Sequence, residues 1–227
     1  MATPAQAATF FDGTFNDADW TRIVNITSGT FEETATQSPS GGNPDAFRSM
    51  THTLRGGTSA NVFHFNNNAI YNPALGAIAS IDYSADVRGL PASTIGGVFG
   101  DGFAIRQAGR LFRTGTTGIV NNSPWQTKSL LGLTGGNFIA LDGGSGPDFS
   151  ITGSVIQFGY ERNNALGGSS TTPRIIAHGI DNWSVRLNLA TVPVPEPSKT
   201  PEPSTIISLG LLGLGALWQR KLAKTQN

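Results

Sequence analysis

Ala77-Ile78-Ala79-Ser80-Ile81-Asp82-Tyr83-Ser84-Ala85-Asp86-Val87-Arg88 alternates with a period of two. Ala77, Ala79, Ile81, Tyr83, Ala85 and Val87 share one parity, and Ser80, Asp82, Ser84, Asp86 and Arg88 share the other. Side chains of a strand point alternately to its two faces, so this pattern predicts a strand with one buried and one wet face. Working outward, Trp183, Val185, Leu187 and Leu189 alternate with Asn182, Ser184, Arg186 and Asn188. Ile156, Phe158 and Tyr160 alternate with Gln157, Gly159 and Glu161. Further strands are expected near Trp20–Thr27, Phe47–Leu54, Asn61–Ile70, Gly102–Phe112, Trp125–Leu133 and Phe138–Leu141. Turn-forming runs separate them, such as Ser40-Gly41-Gly42-Asn43-Pro44 and Gly143-Gly144-Ser145-Gly146-Pro147. No stretch before the C-terminal tail has a helical period. About nine or ten short strands point to an all-β, two-sheet antiparallel sandwich, most naturally a jelly roll.

The 227 residues suit one such domain and an appendage. The 15 basic and 15 acidic side chains cancel, which argues against a nucleic-acid partner that would need a basic face. Cysteine is absent, so thiolate metal sites, cysteine nucleophiles and disulfides are excluded. The expected division is a signal-peptide remnant at 1–7, a β-sandwich ectodomain at 8–191, a proline-rich spacer at 192–203 and an apolar helix with a basic tail at 204–227. The spacer carries prolines too densely for a helix or sheet interior. Ile206 to Trp218 is uncharged and is followed by Arg220, Lys221 and Lys224, the pattern of a short transmembrane helix with a cytoplasmic basic end. Ala5-Gln6-Ala7 has the small-x-small form of a signal-peptidase site.

Pro201-Glu202-Pro203, the glycine- and leucine-rich run Leu209 to Leu217, and Arg220-Lys221 together resemble the PEP-CTERM sorting signal. The resemblance implies an exosortase-type processing enzyme as a partner, a membrane stage through the C-terminal helix, and export. The destination is then the cell surface or extracellular matrix of a Gram-negative-type bacterium. The rest of the chain is similar, in short motifs, to laminin-G, concanavalin-like and carbohydrate-binding-module jelly rolls. Phe11-Asp12-Gly13-Thr14-Phe15-Asn16-Asp17-Ala18-Asp19-Trp20 looks like their first strand, and His178 to Val185 like their last.

No catalytic constellation is legible. Glu161 is the sole glutamate between Glu33 and the spacer, whereas a glycosidase needs two facing carboxyl groups. His52, His64 and His178 lie far apart and fit no zinc spacing. Asp12, Asn16, Asp17 and Asp19 gather oxygen side chains beside a glycine, and pairing of first and last strands would bring Asp181 and Asn182 near. A structural calcium ion is one reading of these six, and a self-bonded Asp/Asn turn is the other. For a glycan, Trp125, Trp20 and Tyr71 are the candidate stacking rings, with Asn66-Asn67-Asn68 nearby in sequence. The expectation is a monomeric, non-catalytic surface protein whose sandwich binds extracellular polysaccharide. The alternatives are a glycan-active enzyme of concanavalin-like fold and a purely structural matrix protein.

Overall fold

The computed structural model describes residues 7–91, 98–120, 122–168 and 172–191. The spacer, the apolar helix and residues 1–6 lie outside the described residues, and with them the sorting motif. Among the described residues no helix is long and apolar enough to cross a membrane.

Eleven strands form the domain: β1 (Ala7–Asp12), β2 (Trp20–Ser38), β3 (Phe47–Tyr71), β4 (Ile78–Gly89), β5 (Val98–Gln107), β6 (Arg110–Arg113), β7 (Thr117–Val120), β8 (Gln126–Leu133), β9 (Ile139–Ala140), β10 (Ile156–Ala165) and β11 (Arg174–Leu189). Every pairing is antiparallel. The all-β sandwich is as expected, but hydrogen bonds link its strands into one curled sheet in the order β8-β4-β11-β3-β10-β5-β6-β9. β1 adds to β11, β2 to β3, and β7 to β5.

Two long strands make the curl. β3 pairs with β11 along Arg48–Leu54 and with β10 along Ser59–Tyr71. It changes partner at Gly56 and Gly57, whose φ angles of 44° and 60° are left-handed conformations that glycine adopts at little cost. β11 does the converse: beyond Ile180 the edge that held β3 is taken by β1, from Trp183 to Asn188. The strand Phe47–Leu54 and the strand Asn61–Ile70 are therefore halves of one element.

The alternation read from the sequence fills the interior. Ile81, Tyr83, Ala85 and Val87 of β4, Trp183, Val185 and Leu187 of β11, and Ile156, Phe158 and Tyr160 of β10 are all buried. The layers meet through rings: Tyr83 stacks on Phe103 at 4.7 Å and Phe10 meets Phe158 at 5.5 Å. Each fully buried ring of this kind contributes roughly 1.5–3 kcal/mol. β10 departs from the one-wet-face expectation. Its second face carries Gly159, where a Cβ would stand 2.0 Å from the His64 carbonyl oxygen, so β3 approaches there as only glycine allows. Glu161 on that face is fully covered, 3.9 Å from Arg113, and burial pushes its carboxyl up to about 7.

Candidate functional site

A pocket of about 350 Å³ opens where β1, the turn after it, the end of β3 and β11 meet. Its wall is Thr9, Phe10, Phe11 and Asp12 from β1, Thr14 and Asp19 from the turn, and Asn66, Asn68 and Ala69 from β3, with Trp183 of β11 also lining it. β1 is paired on one side alone, so Phe11 is left 64% exposed on its outward face, opposite Ser184.

Asp12 organises the site. Its Oδ1 accepts from the Thr14 and Phe15 backbone N–H groups, both at 2.8 Å, and from the Thr14 hydroxyl at 3.1 Å. Its Oδ2 accepts from Trp20 Nε1 at 2.8 Å and Asn66 Nδ2 at 3.4 Å. This is the self-bonded Asx turn favoured by aspartate, and it fixes the loop against β3. Asn68 Nδ2 donates to Asp19 Oδ1 at 2.9 Å, and the Asn68 backbone N–H donates to Asn66 Oδ1 at 2.8 Å. Trp183 is fully buried, and its Nε1–H has no hydrogen-bond partner among the described residues.

The six oxygen-bearing residues considered for calcium divide. Asp12 and Asp19 belong to this pocket. Asp17 bonds the Gln37 backbone N–H and forms an ion pair with Arg48 at 2.9 Å. Asn16 donates weakly to Asp19 at 3.5 Å. Asp181 and Asn182 belong to another knot: Asp181 accepts from the Asn43 backbone N–H, and Asn182 Nδ2 bonds the Asn43 carbonyl and Asp86. Burial, opposed by its backbone N–H donors, pushes the Asp181 carboxyl up. Among the described residues no group of three or more histidine or acidic side chains is arranged to hold a metal ion.

The three expected stacking rings need correction. Trp20 is core, with its ring against Phe15, Tyr160 and Trp183 and its N–H spent on Asp12. Tyr71 is buried, and its hydroxyl donates to the Gly76 carbonyl at 2.9 Å. Trp125 is half-buried: it packs edge-on to Phe47, holds the Gly41 carbonyl at 3.1 Å, and has the Arg88 guanidinium 5.5 Å above its ring. Trp20 and Tyr71 are thus in the interior, and Trp125 remains partly exposed, away from the Phe11 pocket. The exposed ring among the described residues is Phe11, which the sequence placed at the start of the first strand and did not single out for binding. The Asn66–Asn68 run is at the site, with Asn66 and Asn68 in its wall.

The histidines are brought together, contrary to what their spacing suggested. In register, His52 of β3 lies opposite Glu33 of β2, and His64 opposite Tyr160 of β10. Glu33 Oε1 is 3.1 Å from His64 Nε2 and 4.0 Å from His52 Nε2. His52 Nδ1 bonds Asn164, and the His52 ring meets His178 edge-on at 4.6 Å. Burial pushes His52 and His64 down to about 4 and His178 well below its ordinary value, so all three are neutral near pH 7. His64 stacks on Tyr160, and Tyr160 meets the Trp20 ring at a tilt of 56°, so two ring contacts connect the cluster to the tryptophan that holds Asp12.

No protein-family model and no curated protein match the chain. Similar structures include the family 11 carbohydrate-binding module from Clostridium thermocellum in complex with a β-1,3-1,4-mixed-linked tetrasaccharide. It is 9% identical over 83% of this chain and 98% of that one, with a TM-score of 0.45. The CBM22-1 xylan-binding domain from Paenibacillus barcinonensis is 10% identical over 84% of this chain and 99% of that one, at 0.43. A third, a study of the promiscuous specificity of modules from the β-sandwich superfamily, is 10% identical over 75% of this chain, which spans 57% of its length, also at 0.43. At these identities and TM-scores the likeness carries no site residue and no ligand over to this chain.

Proposed function

We propose that this chain is a non-catalytic, glycan-binding β-sandwich of the cell surface or extracellular matrix, with the Phe11 pocket as its binding site. The observation that supports this is an exposed aromatic ring beside a wall of amide, hydroxyl and carboxylate groups around about 350 Å³ of space. That volume lies at the low end of small-ligand sites, roughly 300–1,000 Å³. A sugar presents C–H faces that lie on a ring and hydroxyls that need paired donors and acceptors, and this pocket has both. Both oxygens of Asp12 are occupied by protein donors, which suits a positioning role better than proton transfer.

On a glycan array the full chain is expected to bind a defined set of glycans. Phe11→Ala is expected to weaken that binding about tenfold, the value of roughly 1.4 kcal/mol of ring contact. The melting temperature should change little, because the ring is exposed. Binding that survives Phe11→Ala unchanged would move the site elsewhere, and no binding at all would favour a structural matrix protein. Export and processing rest on sequence: Pro201-Glu202-Pro203, the run Leu209 to Leu217, Arg220-Lys221, and the small-x-small site Ala5-Gln6-Ala7. The mature protein recovered outside its host cell is then expected to end upstream of Ile206. An intact mass that includes the basic tail would refute this.

A further inference from the structure

The pocket has a charge of one sign. Its lining includes two carboxylates, Asp12 and Asp19, and no lysine, arginine or histidine. Three cations on neighbouring elements have other carboxylates beside them. Arg186, opposite Thr9 on β11, has Asp82 of β4 at its other side and helps hold that carboxyl low. Arg48 is paired with Asp17, and Arg22 with Glu33 at 2.8 Å. Asp19 is half-buried at the rim, and Asn68 fixes its carboxylate through Oδ1. Independently of the carboxylates, the Phe11 ring beside them is largely exposed, a surface for the C–H side of a sugar.

Resting on the glycan reading above, we propose that the pocket selects an amine-bearing glycan, a polymer of unacetylated amino sugars, over neutral ones and excludes uronates. A protonated sugar amine is a compact cation with three donors, which matches Asp19 and the carboxamide oxygens of Asn66 and Asn68. A uronate carboxylate would meet two like charges with no cation to offset them, and such a juxtaposition is repulsive. The sugar ring lies against Phe11.

Titration of the full chain with three oligosaccharides of equal length tests this: chitosan, its fully N-acetylated form, and oligogalacturonate. The expected order is chitosan about tenfold tighter than the N-acetylated form, with no binding of the uronate, and an advantage that shrinks as salt is raised. Asp19→Asn is expected to remove most of the chitosan advantage, read as the ratio of chitosan to N-acetylated affinity. Asp17→Asn, which removes an equal charge tied to Arg48 outside the pocket, is expected to preserve it. Equal binding of the amine and acetyl forms, uronate binding, or an equal effect of the two variants overturns the charge selection and leaves the glycan reading standing. No binding of these or any other glycan overturns both.

Discussion

Between about pH 7 and about pH 4.5 the melting temperature is expected to fall by roughly 6–12 °C, because the interior holds all three histidines in their neutral form. In the unfolded chain they take up protons as the pH falls through about 6.5. In the folded chain His52 and His64 do so only near 4. Through that window the unfolded state binds more protons, so stability falls with the pH. A drop from 6.5 to about 4 is worth about 3 kcal/mol per histidine. Glu161 acts in the opposite sense. Its folded value is pushed up from 4.5 to about 7, so its contribution is present below 4.5 and lost as the pH rises through 7. It offsets about one histidine, which leaves a net loss of about 3 kcal/mol before His178 is counted. Two variants separate the contributions. His178→Leu is expected to flatten the acid limb. Glu161→Gln is expected to melt higher than the parent at about pH 8 and to steepen the acid limb, since the offset is gone. A melting temperature that is flat across this range would show that water reaches the cluster.

The strands that were legible are those with one apolar parity: β4, β10 and the end of β11. There Ile81, Tyr83, Trp183, Val185, Leu187, Ile156, Phe158 and Tyr160 are buried as the parity predicts, while Ile78 is buried in place of Ala79 and Glu161 is covered on the face expected to be wet. β2 and β3 were not legible at full length, for two reasons. Arg55-Gly56-Gly57 has the composition of a turn, yet the glycines only bend a strand that continues. Thr30 to Ser38 keeps its hydroxyls on one parity, but the other mixes Phe31 and Ala35 with Glu33 and Gln37, since that face meets His52 and Arg48 as well as Met50 and Leu54. The site was half legible. Asp12, Asp19 and the asparagine run stood out as polar, but their meeting depends on β1 docking to β11 beside β3, a pairing of strands far apart in sequence. Phe11 was missed because nothing in Ala7 to Asp12 shows which parity faces out; the structure buries the Ala8 and Phe10 side and leaves Thr9 and Phe11 outward. The histidines show the same limit: local spacing is uninformative when register, and not sequence distance, brings residues together.

Removing the carboxylate of Asp101 is expected to cost about 3–5 kcal/mol and to lower the melting temperature by roughly 6–20 °C. Asp101 of β5 is opposite Arg162 of β10 in register, and Arg162 Nη1 donates to its Oδ1. Arg162 is fully buried, with its guanidinium 4.8 Å from the Tyr160 ring centre and 5.6 Å from that of Phe99. Those rings solvate the cation only in part, and its Nε and Nη2 have no hydrogen-bond partner. Burial pushes the Asp101 carboxyl up and the Arg162 charge opposes that, so the pair depends on both members. Asp101→Ala leaves a buried guanidinium without a counter-charge, whereas Asp101→Asn keeps an acceptor and is expected to cost less. The double replacement Asp101→Leu with Arg162→Met removes both charges and should recover most of the loss, because two desolvation costs vanish together. A double-mutant cycle by chemical denaturation measures the coupling. Additive losses would mean that each group is solvated independently. Arg162 lies beneath Tyr160, and Tyr160 beneath Trp20, whose N–H holds Asp12 at the pocket floor. Asp101→Ala should therefore also weaken glycan binding at temperatures where the domain is still folded, through a ring stack that has lost its support rather than through any contact with the sugar.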